Sequence, residues 1–346
     1  MGSRRVRFAL VGCGDFAPGF ARYINGAADL VAICDPNSDA RAQFRQNTGL
    51  SVKEFEDYQR LLTEVDIEAV AITSPNHTHR PITLAAAHAG KHVYCEKAMA
   101  PKVSDCWEMV RACEAAGVRL MVGHKRRLRP PWARMIELRG TLGPPLAITG
   151  VLYHDARPYN FQGWWTREAQ SGGILEVVGV HELDWMRAMC GDVRSVSAIA
   201  APQVDLRYDF SDTLHVQLQF HSGAVATLAV SLSYPPLKFR EACGAQVVCR
   251  NGGMRLVTFL DHIDLYWQHD RDHGLRHERY DDLGFDHAFS KEVGDFVRWI
   301  IDGTKPCLTW VEGLRCVEVM EAAHRSAKEK GEWIYLPLYP ELEEHN

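Results

Sequence analysis

A run of apolar strand formers, Val6 to Val11, ends at Gly12-Cys13-Gly14-Asp15-Phe16-Ala17 and passes into a helical pattern. That junction constrains the fold more than any other stretch, because the pattern then repeats. Leu30 to Cys34 reads as a second buried strand and Ala40 to Asn47 as a helix. Val52 to Phe55 reads as a short strand, Asp57 to Thr63 as a helix and Ala69 to Thr73 as a strand. Pro81 to Ala89 forms an alanine-rich helix closed by Gly90, a usual C-cap residue. His92 to Cys95 is the next strand, followed by a helix from Ser104 to Ala116 and a strand from Arg119 to Val122. Strand–helix alternation of this kind specifies a parallel, doubly wound α/β sheet.

The glycine run has the G-x-G-x-x-A form of a dinucleotide fingerprint. Gly12 permits the tight turn, Gly14 lets the main chain approach a pyrophosphate, and Ala17 allows close helix–strand packing. The helix that follows directs unpaired N–H groups and a positive dipole end at phosphates. Asp15 and Phe16 lie on the same turn, and Pro18 costs nothing in a first helical turn. The second strand ends at Asp35, near the expected distance of about 20 residues for an acid that binds ribose hydroxyls. A carboxylate there repels a 2′-phosphate, so NAD is favoured over NADP; Arg41, one helical turn further on, leaves room for NADP.

Ligands of open α/β sheets bind outside the carboxyl ends of the strands. Two segments fall there: Ser74-Pro75-Asn76-His77-Thr78-His79 and Glu96-Lys97. They are expected to line the nicotinamide end of the cofactor, with contacts from Ser74, Pro75, Asn76, His79, Glu96 and Lys97. His77-x-His79 has no acid or cysteine ligand nearby, so turn and helix-cap roles are expected rather than a metal.

At 346 residues the chain fits about two domains, placed at 1–124 and 125–346. Alternating runs at Pro145 to His154, Ser195 to Ala200, Thr213 to Phe220, Ala224 to Ser233 and Ala242 to Cys249 give the second a mostly antiparallel open sheet. Amphipathic helices from Asp286 to Ile301 and Val311 to Lys328 complete it as an α+β domain. An open sheet needs a cover, and a homodimer or homotetramer through it is the economical one. His269, His273 and His277 recur every four residues in a segment read as a solvated loop.

The net charge is −5 with no basic block longer than a few residues, which argues against nucleic acid and anionic membranes as partners. No apolar run reaches about 18 residues. The run behind Arg4-Arg5 is too short for a signal core, and the ten cysteines lack a Cys-x-x-Cys pair. A reduced, cytoplasmic setting is expected.

In this context the chain resembles the glucose–fructose oxidoreductase / inositol dehydrogenase (Gfo/Idh/MocA) family. The matching stretches are Gly12 to Ala17, Thr73 to His79, Ala89 to Lys97, and Ser171-Gly172-Gly173-Ile174-Leu175 leading to Gly179-Val180-His181 and Asp184. The resemblance implies a Rossmann domain and a nicotinamide-dependent oxidoreductase acting on a sugar, cyclitol or related polyol. It also implies that Lys97 and His181 sit at the reacting carbon. A histidine suits the proton of an alcohol being oxidised, and an ammonium stabilises the developing alkoxide.

Two departures stand out. Ala98 replaces the family's proline after the lysine, and Val177 replaces its acid four residues before the histidine. Residues four apart share a helix face, so the usual carboxylate would lie beside the imidazole. Asp184 is the first substitute expected and Glu176, one position off that face, the second; otherwise His181 works unassisted. Tyr153, His154, Tyr159, Trp164 and Trp165 cluster ahead of the glycine pair, where their aromatic faces suit sugar C–H surfaces or cover the core as a loop. Arg126, in the basic run His124 to Arg127, could hold substrate hydroxyls or belong to a solvated turn. Two other activities fit the altered motif: a redox-neutral lyase or hydrolase working through transient NAD oxidation, and a non-catalytic NAD-dependent sugar sensor.

Overall fold

The structure is a computed structural model that describes residues 4–156, 163–233, 241–259, 261–270, 274–282 and 284–343. Tyr159 and His273 lie outside the described residues. The chain divides into two compact units: 1–124 with 288–314, and 125–287 with 315–346.

The first unit alternates as the apolar spacing requires. Strand β1 (Arg7–Val11) leads to helix α1 (Ala17–Ala27), and β2 (Asp29–Cys34) to α2 (Ser38–Thr48). Then come β3 (Lys53–Phe55), α3 (Tyr58–Glu64), β4 (Ala69–Ile72) and α4 (Asn76–His88). Strand β5 (His92–Glu96), α5 (Val103–Ala115) and β6 (Leu120–Gly123) close the series. The sheet order is β3-β2-β1-β4-β5-β6, with every pairing parallel. This is the doubly wound order in which the chain reverses direction across the sheet between β1 and β4. Strands β4 and β6 are buried at every residue, as expected where helices cover both faces. Side-chain caps fix two of the helix starts: Asn37 accepts from the amides of Asp39 and Ala40, and Asp57 from that of Gln59.

Helix α4 begins five residues before the Pro81 start read from the sequence, because Pro81 falls within the helix rather than at its head. Segment 288–314 was assigned from sequence to the second domain, yet it clusters with the first unit. An aromatic core explains this. Phe289 stacks on Tyr23 and meets Phe20 edge-on, while Phe296 contacts Phe8 and Tyr94 at centroid distances of 6.0 and 6.1 Å. Amphipathic spacing identified the helix but not which apolar surface it would cover.

In the second unit, α6 (Pro130–Leu142) precedes the ten-residue strand β7 (Pro145–His154). The short α7 (Glu168–Ser171), a π-wound segment (Leu175–Gly179) and α8 (Val180–Cys190) follow. Strands β8 (Val193–Ala200), β9 (Thr213–Phe220), β10 (Val225–Ser231) and β11 (Glu241–Cys249) come next. Strands β12 (Gly252–Thr258), β13 (Ile263–His269) and β14 (Arg276–Tyr280) complete the run. The chain then continues through α9 (Phe285–Asp302), which from 288 belongs to the first unit, and α10 (Trp310–Lys328), which from 315 belongs to the second, to β15 (Ile334–Tyr335). The nine strands are ordered β14-β13-β12-β11-β7-β10-β9-β8-β15, antiparallel except for the β7–β10 pair. Strand β9 shows why one face is covered: Leu214, Val216, Leu218 and Phe220 are buried, while His215 and Gln217 are exposed between them. Helix α8 packs on the covered face so closely that a Cβ on Gly150 would stand 2.5 Å from Met186.

The solvated loop read around His269 and His277 is corrected to a β-hairpin. His269 ends β13 and His277 lies in β14, where its Nε2 is 2.9 Å from Asp264 and its ring stacks on Tyr266. Cross-strand pairing satisfied main-chain groups that the charged, glycine-interrupted sequence gave no reason to pair.

Phe296 is wholly buried in the first unit's aromatic core. Phe296→Ala is therefore expected to cost about 3–5 kcal/mol through lost burial and a residual cavity, read as a shift of the urea unfolding midpoint.

Candidate active site

The glycine turn is built by close approach. Gly12 has φ +102°, and its amide donates to the carbonyl of Cys34 over 2.8 Å. A Cβ at Gly12 would stand 2.5 Å from the Ser74 main-chain nitrogen, so only glycine lets the ends of β1 and β4 pass. Gly14 differs: nothing lies within 4 Å of where its Cβ would be. Ala17, wholly buried, opens α1, whose start has no side-chain cap and no acid in its first turn. An open glycine ahead of an uncapped N-terminus suits a dinucleotide pyrophosphate. Asp15 is exposed on the same turn, and the Phe16 ring, 37% exposed, stacks on Phe20.

Asp35 follows β2. One carboxylate oxygen accepts the Cys13 amide and the other the Asn37 amide, each at 2.8 Å. Its position against the turn is thus fixed by main-chain donors. Arg41 donates to the Asp35 carbonyl, and its Nε lies 3.6 Å from Glu54, so its charge already has a carboxylate beside it.

Beyond β4, the Ser74 and Thr78 hydroxyls are hydrogen-bonded at 2.6 Å, Pro75 is the N-cap of α4, and Asn76 is buried in its first turn. His79, expected at the cofactor surface, is fully buried. Its Nε2 is 2.8 Å from the Ser74 carbonyl and its Nδ1 3.0 Å from that of Ala98. Burial pushes its pKa down to about 4, so the neutral ring carries one N–H and donates to one of these two carbonyls. His79 packs between the Ser74 loop and the Lys97 loop.

Lys97 stands half-buried just past β5. Its amide donates to Glu96, and the peptide joining it to the buried Ala98 is cis. Behind it, the Tyr94 hydroxyl lies 3.2 Å from Glu96 and 3.1 Å from Glu292, all three buried. A Cβ on Gly123 would stand 2.3 Å from that hydroxyl, so glycine leaves space for the cluster.

In the second unit, His181 is half-buried in the first turn of α8, and Val177 is buried one π-wound stretch earlier. Both candidate acids have other partners. Asp184 is fully buried and grips Arg127 bidentately, with Nε 2.8 Å from Oδ2. Glu176 is 1% exposed and lies 2.9 Å from Nε2 of His324.

Arg126 is buried rather than in a solvated turn: it pairs with Glu182 at 3.1 Å, and its guanidinium lies over the Trp132 ring. The two arginines, neighbours on one short turn, thus pair with acids two residues apart in α8. Tyr153 and His154, adjacent on β7, point to opposite faces of the sheet, and His154 is buried. Trp164 and Trp165 are half-buried, with ring centroids 4.5 Å apart.

Residues 6–124 match the oxidoreductase family with an NAD-binding Rossmann fold, and residues 133–255 match the GFO/IDH/MocA C-terminal domain. The chain belongs to the Gfo/Idh/MocA family. The chain is 26% identical over 342 residues to the myo-inositol 2-dehydrogenase of Thermotoga maritima, covering 94% of this chain and 97% of that one. It is 29% identical over 232 residues to the 2,7-anhydro-N-acetylneuraminate hydratase of Escherichia coli, covering 64% of this chain and 61% of that protein. The crystal structure of aldose-aldose oxidoreductase from Caulobacter crescentus, complexed with glycerol, aligns with a TM-score of 0.83 at 26% identity, over 96% of this chain and 100% of that one.

Within this family frame the first unit is an NAD-binding Rossmann domain. Sequence reasoning missed His324 and Glu292. Each is separated from its partner by more than a hundred residues, and each carries only helix-face spacing locally. The Gly172-Gly173 pair was the one available signal, since paired glycines mark room for something close.

The two glycines of the turn should fail differently. Gly12→Ala is expected to disrupt the first unit, seen as a lowered melting temperature. Gly14→Val should melt as the parent does yet lose NAD binding in a fluorescence titration.

Proposed function

We propose that this protein transfers a hydride between NAD and a secondary hydroxyl or ketone of a sugar, glycoside or cyclitol. The observation that carries the reading is Lys97, at the carboxyl end of β5 with its amide donating to Glu96, in a sheet whose glycine turn is open at Gly14. Relatives named as dehydrogenases and reductases support net oxidoreduction over a redox-neutral reaction or a sensor.

Gly12, Gly14, Asp15, Phe16 and Ala17 would hold the pyrophosphate, and Asp35 the adenosine ribose. Ser74, Pro75, Asn76 and Glu96 would border the nicotinamide half. When bound, NAD supplies the hydride acceptor. Arg41, already beside Glu54, offers little to a 2′-phosphate, which favours NAD over NADP. On the substrate, His181 takes the hydroxyl proton as general base. The Lys97 ammonium stabilises the alkoxide as charge develops. Trp164 and Trp165 present aromatic faces to the sugar C–H surface. Asp184 pairs with Arg127 and Glu176 with His324, so both acids near the family's position at Val177 also serve other partners.

The protein is further proposed to assemble with copies of itself through the uncovered sheet face. Val225, Ala147 and Val248 are register partners across β10, β7 and β11, and Val225 and Val248 are 48% and 56% exposed. An apolar row across three strands is costly in water.

Lys97→Met is expected to lower kcat for polyol oxidation by about 10²–10³-fold with NAD affinity retained. Full turnover in that variant would remove Lys97 from the chemistry. Val248→Lys should reduce the sedimenting mass to that of a monomer; a parent protein that already sediments as a monomer would refute the assembly.

A further inference from the structure

Helix α10 reaches the segment leading to His181 at two points. Lys328 pairs with Glu168 at 2.9 Å, ahead of the glycine turn, and His324 pairs with Glu176 at 2.9 Å, behind it. The two contacts differ in weight. The Lys328 side chain is 71% exposed, so its pair is screened by water and contributes little. Glu176 is 1% exposed, and a carboxylate so buried depends on its partner.

The chain between these contacts is shaped to admit the buried pair. Gly172 and Gly173 have φ of +96° and +115°, where a side chain is strained. A Cβ on Gly172 would stand 2.4 Å from Cγ of Glu176, and one on Gly173 2.9 Å from Cε1 of His324. The next residues wind as a π-helix, in which the Val180 amide reaches back to the Leu175 carbonyl. Such turns are uncommon and cluster at functional positions. His181 follows directly.

We propose that His324 is a positioning residue: through Glu176 it fixes the glycine turn and the π-wound segment that together set the place of His181. The proposal rests on the reading of His181 as the proton acceptor. It also accounts for an acid being present at 176 while the family's position, 177, holds valine. The carboxylate serves the neighbouring helix.

The clamp depends on pH. Burial lowers the affinity of His324 for a proton, but the charge and hydrogen bond of Glu176 outweigh it, with Glu168 adding and Lys328 opposing. The net shift is upward from 6.5. The protonated, charge-assisted pair is thus complete below the ordinary histidine value. It weakens as pH rises through the raised one.

Hydrogen exchange of the 172–181 amides, corrected for intrinsic rates, tests this without needing a substrate. In the parent, protection should fall as pH rises through the His324 titration. His324→Gln keeps a donor but no titration, so protection should persist and lose its pH dependence. His324→Leu should lose protection at every pH while its melting temperature shows the protein folded. With NAD and myo-inositol as the probe substrate, His324→Leu should lower kcat by about 10–100-fold, leave the KM for NAD unchanged, and be rescued in His324→Gln. Unchanged protection in His324→Leu would overturn the clamp whatever the enzyme acts on. Lost protection with undiminished kcat would overturn the positioning role. Turnover surviving in His181→Ala would instead refute the reading of His181, and is seen in a separate variant.

Discussion

Where β1 and β4 end side by side, the main chain of Gly12 passes so near that of Ser74 that no Cβ fits between them. The rest of the first unit depends on this approach. It brings the glycine turn against the cap of α4, and the buried His79 side chain packs between that loop and the Lys97 loop. A doubly wound sheet opens its crevice at the point where strand order reverses, and this contact lies at that point. Asp35, bonded to the Cys13 amide, fastens the turn to β2 from the other side. The turn is therefore rigid for reasons independent of any ligand, and Gly14 is the residue it leaves open.

Charge in the second unit is spent inwardly. Arg126 and Arg127 are consumed by Glu182 and Asp184 of α8, and Glu176 by His324. Buried charges persist only when paired, and removing one partner leaves the other uncompensated. The helix bearing His181 is thus locked by ion pairs before and after that residue. This fits a site whose histidine must be held in place, since proton transfer depends on distance more steeply than binding does.

Periodicity made much of this legible. Strands β7 and β9 begin and end where the alternation of apolar residues does, and the glycine fingerprint marked the one turn that close approach and an open face both require. Errors arose where a residue's partner is remote. Asp184 and Glu176 were weighed by their distance along one helix from His181, but Arg127 and His324 claimed them. Arg126 read equally as a substrate contact or a solvated turn residue, and only Trp132 and Glu182 show the buried place it takes. The segment around His277 read as a loop because nothing local announces the strand it pairs with.

The sequence by itself determined the order of strands and helices in the first unit, the glycine turn and the acid at the end of β2, and the place of Lys97 just past β5. Those follow from short-range rules: side-chain period, turn chemistry, and the spacing of residues that must meet across one strand–turn–helix. Tertiary structure alone decided which charges are spent. It seated 288–314 on the aromatic core of the first unit, wound residues 175–179 as a π-helix and paired Glu176 with His324. These outcomes depend on packing between elements distant in the chain, where most buried polar groups find partners and local spacing has no say in which.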